Sequence, residues 1–329
     1  MLRFCTLLDT NYLAKGFCLY ESLKQVTEEF HLYIFTFDKR SSTLLQELNL
    51  KKASVVSLDE FENDELRSVK KDRTPGEYYW TSKATIIFYC LTKFNLDHCT
   101  YIDADLYFYN DPHVLFKEID RYNVIITSHN YSPFYDQSKT SGKYCAQWLS
   151  FRNSSDSLII LDWWKNACIS WCYYKVEEGK FADQKYLDDW TQRFEGVHVI
   201  QHPGAGVAPW NMQKIDVCKK SGYLRATEIT TGRKFPVIFF HFHNVTNLRL
   251  KYVDEWVLGH YRIPKSVKDL IYRPYLRELE KADKILRKMD DTTDYLGTRH
   301  MDFPFVRWLM HLIRNVFRQN KVFHLTKWL

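Results

Sequence analysis

Two carboxylates one residue apart, Asp103 and Asp105, close an apolar run in Thr100-Tyr-Ile-Asp-Ala-Asp-Leu-Tyr-Phe-Tyr109. Strand side chains alternate between faces, so positions i and i+2 point the same way. Two aspartates on one face of a strand end oppose folding and suit a hard divalent cation, which takes oxygen ligands and shares them with phosphates. Asp-rich turns at strand ends produce the same spacing without any metal, so the surrounding elements have to decide.

Those elements read as alternating strands and helices. Strands over 4–8, 32–37 and 54–57 are separated by amphipathic helical stretches over 14–25 and 43–48. This βαβαβ order predicts a mostly parallel sheet with helices on its faces. A helix over 81–92 then leads into the strand that carries Asp103. Ligands of such open sheets collect at the carboxyl ends of the strands, where Asp9 and the Asp103/Asp105 pair would both lie. No Gly-x-Gly-x-x-Gly and no Walker A sequence is present, which argues against a dinucleotide-binding or P-loop enzyme.

A second candidate ligand set follows in Val237-Ile-Phe-Phe-His-Phe-His-Asn244, where His241 and His243 alternate at a strand end and share a face. Neutral imidazole suits Mn²⁺, and either histidine could join the carboxylate pair; a structural strand histidine is the alternative. The 329 residues are 45% hydrophobic, with 22 Tyr, 22 Phe and 10 Trp, enough for a sizeable core with stacking surfaces to spare. Eight scattered cysteines read as reduced thiols of a cytosolic compartment; Cys168 and Cys172, one helical turn apart, lack the second pair of a zinc ribbon. No secretion signal and no apolar run of transmembrane length is visible.

These motifs, in this order, resemble the GT-A-fold glycosyltransferases, and the chain is similar to glycosyltransferase family 8 and related bacterial sugar transferases over roughly residues 2 to 255. The resemblance implies an α/β fold with a mostly parallel open sheet and a C-terminal helical extension. It assigns the nucleoside to Asp9, Asn11 and Tyr12 in Leu8-Asp-Thr-Asn-Tyr12, where a ring can stack on a base; a helix N-cap at Asp9 or Thr10 is the simpler explanation. Lys83, in Glu77-Tyr-Tyr-Trp-Thr-Ser-Lys-Ala-Thr85, matches a cation placed against the donor diphosphate near a helix start, with a solvated surface charge as the alternative. Asp103, Asp105 and His241 become ligands of Mn²⁺ or Mg²⁺, which would act as a Lewis acid on the departing diphosphate. Asp183 and Gln184 fall beside the transferred sugar, Trp210 in Pro-Trp-Asn211 on the acceptor side, and Arg249 with Lys251 near the phosphates.

Departures from the pattern touch the sugar end of the site. Tyr144-Cys-Ala-Gln147 stands where an Asn-containing segment is usual, Asn244 replaces a glycine, and Lys185 replaces a second acidic residue. Cys145 cannot supply an amide's paired donor and acceptor.

From Arg299 onward six Lys or Arg face one acidic residue, so this tail carries +5 of the formal +6. Wound as a helix it would gather Arg307, His311, Arg314 and Arg318 on one face and Phe305, Leu309, Leu312, Ile313 and Val316 on the other. That pattern fits an anionic membrane surface, or equally a docking or dimer contact. Nucleic acid is not expected, since basic charge is confined to the tail. The expected organisation is a catalytic domain over 1–253, a helical appendage over 254–298 and a basic anchor over 299–329. The activity expected is a metal-dependent, retaining transfer of sugar from a UDP-linked donor to a glycan or lipid-linked acceptor, on the cytoplasmic face of a membrane. A catalytically impaired sugar-nucleotide or glycan-binding protein is the alternative, and a nucleotidyltransferase is disfavoured by the absence of a Gly-rich basic triphosphate loop.

Overall fold

The structure, a computed structural model, describes residues 1–119, 122–250, 253–259, 261–300 and 321–325, those at 119, 249–250, 253–256, 300 and 321–325 by backbone alone. Strand β1 (Leu2–Leu8), helix α1 (Leu13–Val26), β2 (Phe30–Thr36), α2 (Lys39–Leu48) and β3 (Ala53–Ser57) form the expected βαβαβ opening. Ladders and caps fix its limits. β1 and β2 pair in parallel from Leu2 opposite Phe30 to Leu8 opposite Thr36. α2 begins before the predicted position because Asp38 accepts the backbone N–H of Ser41 at 2.8 Å.

Two short helices, α3 (Leu58–Phe61) and α4 (Asp64–Val69), precede the long α5 (Pro75–Lys93). Its start was expected near residue 81. A capping box advances it by more than a turn: Glu77 Oε2 accepts the Thr74 N–H at 2.8 Å while Thr74 Oγ1 accepts the Glu77 N–H, and Pro75 fills the first helical position. β4 (His98–Ile102), β6 (Val124–Ser128), β7 (Tyr144–Arg152) and β8 (Val197–Val199) complete the main sheet, with β5 (Leu106–Phe108), α6 (His113–Ile119), α7 (Ser155–Ser170) and α8 (Trp190–Arg193) along the connections. Its order is β3-β2-β1-β4-β7-β6-β8, parallel except for β7.

Alternation along β1 feeds a core on each face: Phe4 and Leu8 pack with α1 on one side, Cys5 and Leu7 with α5 on the other. A Cβ at Gly16 would collide with the end of the Leu8 side chain, so a larger residue there would force Leu8 to move. Seven of the eight cysteines are buried, all eight as free thiols.

Beyond the main sheet, β9 (Ile215–Lys220), β10 (Tyr223–Glu228) and β11 (Lys234–Pro236) form an antiparallel meander. β12 (Phe239–His241) then pairs with β5, His241 opposite Leu106. β13 (Thr246–Leu250) and β14 (Val253–Val257) form a hairpin, followed by α9 (Lys265–Val267), one π turn and α10 (Arg273–Met289). The expected break between 253 and 254 thus falls inside a hairpin, and helical backbone starts only at Lys265. α10 lays Leu276, Leu279 and Leu286 into the core that α1 shares. β15 (Arg299–His300) and β16 (Lys321–Leu325) flank the hairpin in the order β15-β13-β14-β16. The predicted tail helix around Arg307, His311, Arg314 and Arg318 lies outside the described residues. No helix among the described residues is long and apolar enough to cross a membrane.

Candidate active site

The site begins where β1 ends. Asp9 Oδ1 accepts the Tyr12 N–H at 3.1 Å, while Oδ2 accepts from Asn11 Nδ2 at 3.1 Å and from the Tyr79 hydroxyl at 3.0 Å. Asp9 therefore caps the turn as the simpler expectation had it, and the same turn also presents Asp9, Asn11 and Tyr12 to a cleft of about 570 Å³.

On the neighbouring strand, the chain turns at Asp103, whose carbonyl accepts the Leu106 N–H at 3.1 Å. The Asp105 carbonyl accepts the Phe242 N–H at 2.9 Å, which brings the end of β12 against this turn. His241 Nε2 consequently lies 3.0 Å from Asp105 Oδ1 and 3.9 Å from Asp103 Oδ2. One ligand atom from each of the three residues falls within 4.8 Å of the others. Two carboxylates and an imidazole converging this closely, with Asp105 and His241 buried, fit a divalent cation by donor type and spacing. Burial opposes charge on His241, but the adjacent Asp105 carboxylate overrides it and pushes the imidazole up to about 10. Asp105 is held well below the ordinary carboxylate range, its burial outweighed by the same neighbour. His243, 5.8 Å away ring to ring, stands outside this group, pushed down to about 4 by burial and by the charge on His241.

Lys83 sits two turns into α5, so the helix-start argument for it fails, and it is buried rather than solvated. Its ammonium lies 3.1 Å from Asp103 Oδ1 and 3.1 Å from Asp183 Oδ2, and donates to the Ala146 carbonyl at 3.3 Å. Burial would strip its charge, but the Asp103 and Asp183 carboxylates reverse that and hold it firmly protonated. Asp183 is itself pushed up by burial despite Lys83. Its backbone is anchored by the Trp164 indole N–H at 2.9 Å, and the preceding Ala182 adopts a left-handed φ of 48°. Gln184 Nε2 donates to the Ser141 carbonyl at 2.8 Å. Lys185 turns away to Asp188 at 2.7 Å, which accounts for a cation where acid was expected.

Aromatic groups wall the far side. Trp210 meets His241 edge-on, centroids 5.4 Å apart, and donates its indole N–H to the His129 carbonyl at 2.8 Å. Tyr131 stacks on His129, and Tyr261 completes the wall. The Cys145 thiol lies against His241, and Asn244 takes the left-handed backbone, φ 59°, that its place after the histidines demands. Arg249 is on β13 opposite Asp254; its side chain and Lys251 lie outside the described residues.

Sequence reasoning missed Tyr79, Tyr101 and Trp164. Tyr101 donates its hydroxyl to Asp103 Oδ1 at 2.7 Å, and its i−2 position on the same strand face was the available signal. Tyr79 and Trp164 act across large sequence separations, for which one sequence offers no signal.

No family model matches the chain. Two proteins of Bacillus subtilis (strain 168) are similar over most of its length. "Uncharacterized protein YfnD" is 29% identical over 307 residues, 91% of this chain and 95% of that protein. "Uncharacterized protein YfnF" is 31% identical over 247 residues, 73% and 80% respectively. Among solved structures, the galactosyltransferase LgtC in complex with donor and acceptor sugar analogues matches 85% of this chain and 96% of its own, with a TM-score of 0.51 at 9% identity. Similarity at that identity concerns the fold. The chain thus belongs to the same family as YfnF, and its architecture is the GT-A fold of glycosyltransferases.

Proposed function

We propose that this protein is a metal-dependent glycosyltransferase that moves a sugar from a nucleoside diphosphate donor, UDP-linked, to a glycan or lipid-linked acceptor with retention of configuration. The observation that carries the reading is the convergence of Asp103, Asp105 and His241 beside the Lys83–Asp183 pair, at the carboxyl end of a GT-A sheet. Asp103, Asp105 and His241 would hold Mn²⁺ or Mg²⁺, which supplies Lewis-acid neutralisation of charge on the departing diphosphate. Asp9, Asn11 and Tyr12 orient the nucleoside. Asp183 accepts hydrogen bonds from sugar hydroxyls, its carboxylate kept in place by Lys83 and its backbone by Trp164. Gln184 spends its N–H on Ser141, which leaves the amide oxygen to face the charge developing at the anomeric carbon. The basic tail would hold the protein at the cytoplasmic face of an anionic membrane, supported by its +5 charge.

Calorimetric titration with UDP, with and without Mn²⁺, combined with UDP release from a panel of UDP-sugars, tests this. Metal-dependent binding with slow hydrolysis of one donor is expected; no binding in either condition overturns the UDP-and-metal reading. Cys145, which offers no amide at the sugar end, favours a second reading as an impaired sugar-nucleotide-binding protein. Binding without turnover, with acceptors present, would favour it.

A further inference from the structure

Lys15 is a cation beside the Tyr12 turn, next to the cleft, that the reading above leaves unused. It is the third residue of α1, 8% exposed, with its ammonium 4.1 Å from the centroid of the Tyr12 ring. Among the described residues it has no hydrogen bond and no carboxylate within ion-pair distance, whereas Lys83, buried to a similar degree, has two carboxylates. A largely buried lysine whose ammonium meets a ring face but no hydrogen bond or ion pair is costly. The position adds to that cost, because the first turn of a helix carries the positive end of its dipole, and α1 has no side-chain cap. Asp105 and Asp9 offset part of that cost from beyond ion-pair distance, which leaves the ammonium free to take a closer anion.

The charges around it agree. Asp9 is engaged by Asn11, Tyr12 and Tyr79, and Asp183 by Lys83. A divalent cation held by Asp103 and Asp105 would be matched by those two carboxylates, leaving Asp9, beyond ion-pair distance, as the carboxylate that still offsets Lys15. The chain's other end adds a second cation here. Gly297 runs so close to the Asp9 turn that a Cβ on it would sit 3.3 Å from the Asn11 carbonyl oxygen. Two residues on, Arg299 in β15 is exposed and has no partner among the described residues, and its charge is felt at both Tyr12 and Lys15.

We propose that Lys15, with Arg299 at the rim, receives the phosphate oxygens of the nucleoside diphosphate donor, so that the donor is gripped by opposite ends of the chain. This rests on the transferase reading and adds the groups that neutralise the part of the donor the metal ligands do not touch. An ammonium and a guanidinium contact to phosphate are both charge-assisted and therefore among the stronger hydrogen bonds available.

The experiment is calorimetric binding of UDP, GDP, CDP and dTDP, each with Mn²⁺, to wild type, Lys15→Met, Lys15→Arg and Arg299→Gln, alongside uridine and Mn²⁺ alone. Lys15→Met is expected to weaken whichever diphosphate binds wild type by about 10- to 100-fold, with nucleoside and Mn²⁺ affinities held within roughly threefold. Lys15→Arg should recover part of the loss, and Arg299→Gln should cost less and flatten the salt dependence. The unfolding midpoint of the free Lys15→Met protein should hold or rise, because methionine keeps the stem and removes an unpaired charge. A drop of several degrees would mean that the ammonium is a structural counter-ion, and overturns the proposal. Wild-type binding with Lys15→Met equally tight overturns this inference alone; wild type binding none of the four overturns the transferase reading and this inference with it.

Discussion

The turn after β1 and the buried centre between α5 and β12 both line one cleft, yet they are built on opposite terms. The turn is largely local: Asp9, Asn11 and Tyr12 bond within three residues, with Tyr79 as a distant donor to Asp9, and Tyr12 remains 40% exposed. The centre draws Lys83, the Asp103/Asp105 pair, Asp183 and His241 from four separate stretches of chain and buries most of their charge. A local, solvated arrangement can be edited with little effect on the fold. A buried charge network cannot, because removing one member leaves the others uncompensated.

The sharpest way to break this contrast is Lys83→Met, which strands two carboxylates. It should cost about 3–5 kcal/mol of stability in urea unfolding, and unchanged stability would show that the network is not paired as described. Tyr101→Phe removes only the hydroxyl on Asp103 and should lower Mn²⁺ affinity by about 10-fold with little change in unfolding, measured by paramagnetic titration. Asp9→Ala is the mildest: about 1 kcal/mol from the lost cap, seen in the unfolding midpoint, with Mn²⁺ affinity intact. A stability loss from Asp9→Ala matching that of Lys83→Met would erase the distinction between the two regions.

Legibility followed the same divide. Asp103 and Asp105 stood out by their spacing, although they converge through the turn between β4 and β5 and not through strand parity, and the βαβαβ opening was legible from its alternation, because both signals sit within a few residues. The Asp9 turn was readable for the same reason. Lys83 was found but misplaced, since Thr74-Pro-Gly-Glu77 starts the helix earlier than its apolar pattern does. Its bridging of Asp103 and Asp183 depends on packing that no short window contains. The charges in Val253–Val257 read as helical spacing, but pairing with Thr246–Leu250 wins, as long-range ladders routinely override weak local preference. Lys15 carried a faint signal, three residues after Tyr12 on one helix face, that only its burial makes meaningful.

The β15-β13-β14-β16 order has a practical consequence for work on the basic tail. Cutting the chain before Arg299 would strip both outer strands at once and leave the hairpin that bears Arg249 with two unpaired borders, rows of free N–H and C=O groups that invite self-association. A truncated protein that clumps or loses membrane binding would then report on a damaged sheet. Charge-swapped tails of full length, with the backbone ladders kept, are the variants whose membrane behaviour can be interpreted.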